Sequence, residues 1–245
     1  MKPRHAPAAF TEHYVARALG GCRSVLEAGC GRGWLAAGLA RRGFEVTAID
    51  RDLADLEATG APGLHFAEAD FLSFEGGPYD AVVFVASLHH LSPLAAAVDR
   101  LRRLVAPDGR VVLDEFDLAA PDEATARWHY QRQEELARLG LYSRERIFQG
   151  EEAALARWHA EHQEAPPLHT GPEMLFALGE AFPRIDVRRG LYLFRYLCAG
   201  LPETPAGSAA AVRVIRSERN GIRSGALRPV GLRAIAHRGR TGQEL

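Results

Sequence analysis

Residues 25–50 read VLEAGCGRGWLAAGLARRGFEVTAID. Val25 and Leu26 open a short apolar run that ends in an acid, Glu27, and passes at once into Gly29-Cys30-Gly31-Arg32-Gly33. Beyond the glycines, Trp34, Leu35, Leu39 and Ala40 recur at helical spacing, and Gly43 stands where a helix stops. Phe44 to Ile49 form a second apolar run closing on Asp50, so two strands flank one crossover helix. The pattern predicts a βαβ nucleotide-binding unit.

Closely spaced glycines leave no Cβ between backbone and ligand, and such a loop presents the unpaired N–H groups that open a helix. An acid about 20 residues beyond it, at the tip of the second strand, accepts hydrogen bonds from ribose hydroxyls, and Asp50 is in that place. Two ligands fit the glycines. Gly31-x-Gly33-x-x-Ala36 satisfies the dinucleotide fingerprint, while Gly29-x-Gly31-x-Gly33 satisfies a methyl-donor loop. Glu27 discriminates, because a carboxylate two residues before the first glycine repels a pyrophosphate but suits a ligand carrying an ammonium group.

The run Glu27-x-Gly29-x-Gly31-x-Gly33 resembles the first motif of the class I S-adenosylmethionine-dependent methyltransferases, and the resemblance extends over roughly residues 22 to 118. It implies a Rossmann-like, doubly wound α/β fold. The expected sheet has seven strands, mostly parallel with an antiparallel last strand, and carries a helical cap insertion. S-adenosylmethionine is the implied cofactor. Leu64 to Ala69 read as a third strand ending on Asp70. In the family an acid there holds the adenine amino group and the next residue packs on the ring, so Asp70 and Phe71 match. The expected cofactor contacts are Glu27, Gly29, Cys30, Gly31, Asp50, Arg51, Asp70, Phe71 and Ser87, with Arg32 and Gly33 as further candidates. Cys30 also reads simply as a small residue in the loop.

Tyr79 to Ala86, YDAVVFVA, is the nearly continuous apolar run of a parallel strand buried on both faces. Ser87-Leu88-His89-His90 follows it. A Leu-His-His run there is seen in many small-molecule members of the family, including those resembling quinone-biosynthesis methyltransferases. His89 and His90 are therefore the catalytic candidates, as general bases, since imidazole titrates near neutral pH. The competing reading is that they orient the loop. Asp114, Glu115 and Asp117 are candidates to contact the acceptor. The segment carries neither an Asn/Asp-Pro-Pro-aromatic nor a Pro-Cys motif, as the family's base-methylating members would, and Ala86-Ser87 replace the acid of its metal-dependent members. No metal is expected, and His159 and His162 read as part of a solvated face.

At 245 residues, 47% hydrophobic and 25% charged, the chain is long enough for one α/β domain with insertions. We expect one domain over residues 1–245: a cofactor-binding core at 22–118, a helical cap at 119–170 over the acceptor, and C-terminal helices with the last two strands at 171–245. A net charge of −1 creates no field toward nucleic acid or anionic membrane. No apolar run of about 18 residues or signal peptide is evident, and the odd set Cys22, Cys30 and Cys198 forms no CxxC pair. These features predict a cytoplasmic protein, and the resemblance implies an enzyme acting on a small molecule. They leave the oligomeric state open, a homodimer included.

Smaller expectations complete the reading. The chain should be loose until Phe10 begins a helical stripe, and Leu53–Thr59 should be a short helix. Ser92 and Pro93 should open a helix, and Pro107-Asp108-Gly109 should be a turn. A helix is expected from Gly171-Pro172, a strand over Ile185–Leu197, a linker at Pro202–Gly207, a helix near Ala209–Ile222 and a last strand at Gly231–His237. The alternatives to methyl transfer are an NAD(P)-dependent oxidoreductase and a cofactor-binding protein without catalysis.

Overall fold

The computed structural model describes residues 5–58, 60–142 and 153–239. They divide into two compact units. One comprises Thr11–Glu115, His169–Arg188 and Leu232–Leu245; the other comprises Met1–Phe10, Phe116–Leu168 and Arg189–Gly231.

The first unit is built on the sheet. Its strands are β1 (Ser24–Ala28), β2 (Glu45–Asp50), β3 (Leu64–Glu68), β4 (Tyr79–Val85), β5 (Val105–Phe116), β6 (Arg184–Gly190) and β7 (Gly231–His237). They lie in the order β3-β2-β1-β4-β5-β7-β6. β1 pairs in parallel with β2 and β4, β2 with β3, and β4 with β5, whereas the last strands run antiparallel. Strand order reverses between β1 and β4, so their C-terminal ends open the crevice in which such sheets hold ligands.

Alternation along each strand splits the core in two. Val25, Val46, Ala48 and Val83 point to one face, where they meet Val15 and Leu19 together with Ala36 and Leu39 of α2 (Trp34–Ala40). Leu26, Ile49, Val82 and Phe84 point to the other, against Leu94, Val98 and Leu101 of α3 (Leu94–Leu104) and Met174 and Leu178 of α6 (Gly171–Gly179). A capping box between Thr170 and Glu173 starts α6, as the Gly171-Pro172 signal predicts.

The second unit contains α4 (Glu123–Arg138), α5 (Ala154–Glu161), α7 (Phe194–Ala199) and α8 (Pro205–Arg223). Phe194, Leu197, Cys198 and Leu201 pack against Ala210, Ala211, Val214 and Ile215. Buried Glu218 on α8 accepts hydrogen bonds from the N–H groups of Tyr192, Leu193 and Phe194 at 2.8, 2.9 and 2.8 Å, which satisfies the start of α7.

Several local expectations are corrected. The first helix, α1 (His5–Ala18), already includes Pro7, because a proline in the first turn removes only an N–H that has no helical partner. Residues 53–58 are not helical: the N–H groups of Glu57 and Ala58 bond to the Arg32 carbonyl instead of continuing a turn. The strand expected to Leu197 ends at Gly190, because Phe194, Leu197, Cys198 and Leu201 follow helical spacing. Pro93, not Ser92, caps α3. Residues 106–109 lie within β5 as an irregularity, where pairing passes from Tyr79–Val105 to Ala81–Arg110. Half the expected linker is helix, since Thr204 caps α8 and Pro205 opens it. Ile147, read as part of a cap helix, lies outside the described residues.

Candidate functional site

The loop after β1 is shaped by its glycines. Gly29, Gly31 and Gly33 all have positive φ, at 78°, 49° and 73°, a region that costs other residues strain. The loop is tied to the end of β2: the N–H groups of Gly29 and Cys30 donate to the Ile49 carbonyl, and that of Gly31 donates to Asp50 Oδ2 at 2.8 Å. The three glycines differ in what a side chain would meet. A Cβ at Gly29 would lie 2.5 Å from Ser87 Cβ, and one at Gly33 would lie 2.7 Å from the Phe66 ring. A Cβ at Gly31 would meet nothing within 4 Å, so that position alone faces open space.

Glu27 is the penultimate residue of β1, next to this loop, and is 2% exposed. It takes a hydrogen bond from the Ala36 N–H, while Oε2 has no partner among the described residues. Burial, reinforced by the charge of Asp50, pushes its carboxyl up to about 8. A buried carboxylate with an unfilled oxygen is costly unless a donor or cation arrives. Beside the open space at Gly31 it fits the ammonium end of an amino-acid-like ligand.

The other expected contacts are spread along the same strand ends. Asp50 closes β2, and Arg51 beside it is exposed. Asp70 follows β3, where its Oδ1 accepts the Leu72 N–H at 2.9 Å. The Phe71 ring is turned into the core, edge-on to Phe84 with centroids 5.1 Å apart. Cys30 is buried, and burial, with the charges of Glu27 and Asp50, pushes its thiol up to about 12.

The segment after β4 is held from below. Ala86 has φ +49°, strain that in a non-glycine residue marks a constrained position. Ser87 Oγ donates to the Ala28 carbonyl at 2.7 Å, joining the ends of β4 and β1. Glu115 Oε1 accepts the N–H groups of Ser87 and Leu88 at 2.8 and 2.7 Å, and Oε2 lies 2.7 Å from His89 Nδ1. His89 is buried, whereas His90 is exposed and its ring lies 4.2 Å from that of His89.

The acids at and just beyond the C-terminal end of β5 are occupied within the protein. Asp114 pairs with Arg233 and accepts from Thr11 Oγ1, Asp117 pairs with Arg189, and Glu115 serves the Ser87–His89 turn. Sequence reasoning placed these groups at the acceptor and missed Glu115 as a support. The available signal was its position inside an otherwise apolar strand. His159 is exposed, as expected, but His162 is half-buried, its ring tilted against that of Trp158 with centroids 4.0 Å apart. No group of three or more potential metal ligands occurs among the described residues.

Residues 4–149 match a family model described as a methyltransferase domain. An uncharacterised methyltransferase of Mycobacterium bovis is 32% identical over 179 residues, which is 70% of this chain and 84% of that protein. A ubiquinone biosynthesis O-methyltransferase of Alkalilimnicola ehrlichii is 38% identical over 122 residues, 45% of this chain, and the match spans about half (49%) of that relative's length. Among solved structures, a Haemonchus contortus phosphoethanolamine N-methyltransferase in complex with S-adenosylmethionine has a TM-score of 0.56 at 13% identity. The aligned part covers 93% of this chain and 52% of that one. The plantazolicin methyltransferase in complex with S-adenosylhomocysteine has a TM-score of 0.50 at 15% identity, covering 94% and 82% of the two chains. The chain belongs to the methyltransferase domain family and is a class I S-adenosylmethionine-dependent methyltransferase. Its cofactor is S-adenosylmethionine.

Proposed function

We propose that this enzyme methylates a small organic acceptor by in-line displacement, with its donor held at the crevice between β1 and β4. The observation that carries the donor site is the buried Glu27 carboxylate with Oε2 unfilled, next to the open space at Gly31. S-adenosylmethionine, when bound, supplies a methyl group already activated by the positive charge on its sulfur. The protein's part is to hold and orient, so the barrier is lowered chiefly by alignment and exclusion of water.

In this reading Glu27 accepts the ammonium group, and Gly29, Cys30 and Gly31 line the amino-acid portion with backbone. Asp50 and Arg51 serve the ribose, Asp70 with the backbone of Phe71 serves the adenine, and Ser87 shapes the wall opposite Gly29. Glu115 holds His89 with Nδ1 as donor, and His89 in turn supports the exposed His90. His90 is then the side chain placed to take a proton from an acceptor hydroxyl or amine. The near-neutral charge of the chain supports a small acceptor over a nucleic acid. The free cysteines Cys22, Cys30 and Cys198 agree with a reducing, cytoplasmic setting. No helix among the described residues is long and apolar enough to cross a membrane.

The deciding experiment is calorimetric titration with S-adenosylhomocysteine, with NAD and NADP run in parallel. Micromolar binding of the first alone, about −8 kcal/mol, is expected. Binding of a nicotinamide cofactor in its place would overturn the donor assignment. A screen of small acceptors with labelled donor then tests for turnover, and its absence across all classes would favour a non-catalytic role.

A further inference from the structure

Glu27 sits where its own charge is disfavoured. Its side chain shares the sheet face of Val25, and its register partners are Ala48 on β2 and Val83 on β4, so apolar residues stand on either side. The protein supplies one hydrogen-bond donor, the Ala36 N–H at the start of α2, and Oε2 is left without a partner among the described residues.

The charged groups of the surrounding elements do not compensate. α2 carries none. The part of α1 in this unit brings Glu12, paired with Arg42, while His13 and Arg17 are exposed. On β4 the only charge is Asp80, at the far end, where the Arg23 and Ser24 N–H groups hold it. On β2, Glu45 is also at the far end and pairs with Arg23, which leaves Asp50, a charge of the same sign as a Glu27 carboxylate. In the loop, Arg32 pairs with Glu57, and the Cys30 thiol is neutral. A carboxylate held out of water with one donor, no cation and an acid nearby keeps its proton. Burial and Asp50 push Glu27 up to about 8 accordingly.

We propose that donor binding is coupled to proton release at Glu27, which gives up its proton to solvent when the donor's ammonium group arrives, so that the enzyme takes its donor more tightly as pH rises through neutrality. This rests on the donor reading given above. In the step the carboxyl O–H bond breaks, the proton passes to buffer, and the ammonium keeps its three N–H bonds and meets the carboxylate left behind. Only the ionised fraction of Glu27 is competent, and apparent affinity scales with that fraction. With a value of about 8, the fraction is about one tenth at pH 7 and about one hundredth at pH 6. His89 and His90, beyond β4, are of the type that also changes charge near neutral pH, so the test must separate them from Glu27.

The experiment uses the full chain and S-adenosylhomocysteine, which carries the same ammonium group, titrated calorimetrically at pH 7 in buffers of different ionisation enthalpy. Release of about 0.9 proton per ligand is expected, with affinity rising roughly tenfold from pH 6 to 7 and levelling above pH 8. 5′-Methylthioadenosine, which keeps the nucleoside and the sulfur but lacks the amino-acid portion, should bind without proton release. Glu27→Gln should bind S-adenosylhomocysteine without proton release, and its affinity deficit against the native protein should shrink more than roughly tenfold from pH 8.5 to pH 6. The two titrations of the native protein decide even if the variant does not fold. Binding of S-adenosylhomocysteine with less than about 0.2 proton released at pH 7, or a release that survives Glu27→Gln, would overturn the proposal and leave the donor site in place. Equal release with 5′-methylthioadenosine would overturn it too, by moving the proton to another group such as His89 or His90. No binding of S-adenosylhomocysteine at any pH from about 6 to 9 would defeat the donor reading, and the proposal with it.

Discussion

Nδ1 of His89 lies 2.7 Å from Oε2 of Glu115, and both side chains are almost wholly buried, at 4% and 0% exposure. Because Glu115 Oε1 also accepts two backbone N–H groups, the carboxylate acts only as an acceptor, and His89 Nδ1 is the donor. One side chain on β5 therefore holds three consecutive residues after β4. Glu115→Gln turns an amide N–H₂ toward groups that themselves donate. We expect a loss of about 3 kcal/mol in urea unfolding, with the global fold retained by circular dichroism. His90→Asn, at an exposed position, should cost under about 0.5 kcal/mol. Equal losses from both would mean that the turn is not held by Glu115.

Glu27 links the donor site to pH. Its folded value of about 8 lies above its ordinary value of 4.5, so between these the unfolded chain has released a proton that the folded chain keeps. Stability should therefore fall as pH rises from 4.5 to 8, on the order of a few kcal/mol, and Glu218, also raised by burial, adds in the same direction. Glu27→Gln should flatten part of that fall in denaturation series at pH 5.5 and 8.5. The same variant should lose roughly 10- to 100-fold in S-adenosylhomocysteine affinity, the worth of one charge-assisted hydrogen bond. Unchanged affinity would remove Glu27 from the donor site.

Gly31 and Gly33 separate binding from folding. Ala at 31 meets open space, so Gly31→Ala should cost only about 1 kcal/mol of backbone strain while weakening donor binding. Ala at 33 strikes the Phe66 ring and should lower the melting temperature more than it lowers intrinsic affinity. Thermal unfolding with and without S-adenosylhomocysteine distinguishes the two, and reversed ranks would refute this division.

Glu218 is a structural counterpart in the second unit. Glu218→Ala leaves three buried N–H groups, those of Tyr192, Leu193 and Phe194, without their acceptor. A loss of about 3 kcal/mol is expected in denaturant unfolding. A loss below about 1 kcal/mol would show that the three groups find other partners.

What could be read from sequence follows from how local each determinant is. β1, the glycine loop, α2 and β2 carry strand and helix periods, three glycines of positive φ and acids near the strand ends within residues 25–50, so the unit declares itself. Leu53–Thr59 misled because its apolar spacing is helical, whereas the N–H groups that would extend a helix are taken by Arg32, more than 20 positions earlier in the chain. Ile185–Leu197 misled because alternating aromatics suit a strand, while the helix at Phe194–Ala199 is set by Glu218, a residue of another element. The same holds at the site. Glycine spacing was legible, but the employment of Asp114, Glu115 and Asp117 depends on Arg233, the Ser87–His89 turn and Arg189, which only folding brings near.

The 2.5 Å between a notional Cβ at Gly29 and Cβ of Ser87 makes the two positions genetically conditional on each other. Alanine at 29 is excluded chiefly by what stands at 87, so Ser87→Gly should recover part of the stability lost in Gly29→Ala, leaving the strain of φ 78°. A site 58 residues away in sequence, which donates its hydroxyl to Ala28, thus sets which residues position 29 can accept. Drift in one loop is licensed by the other, and a substitution survey that varied either alone would score as intolerant a position whose freedom is shared.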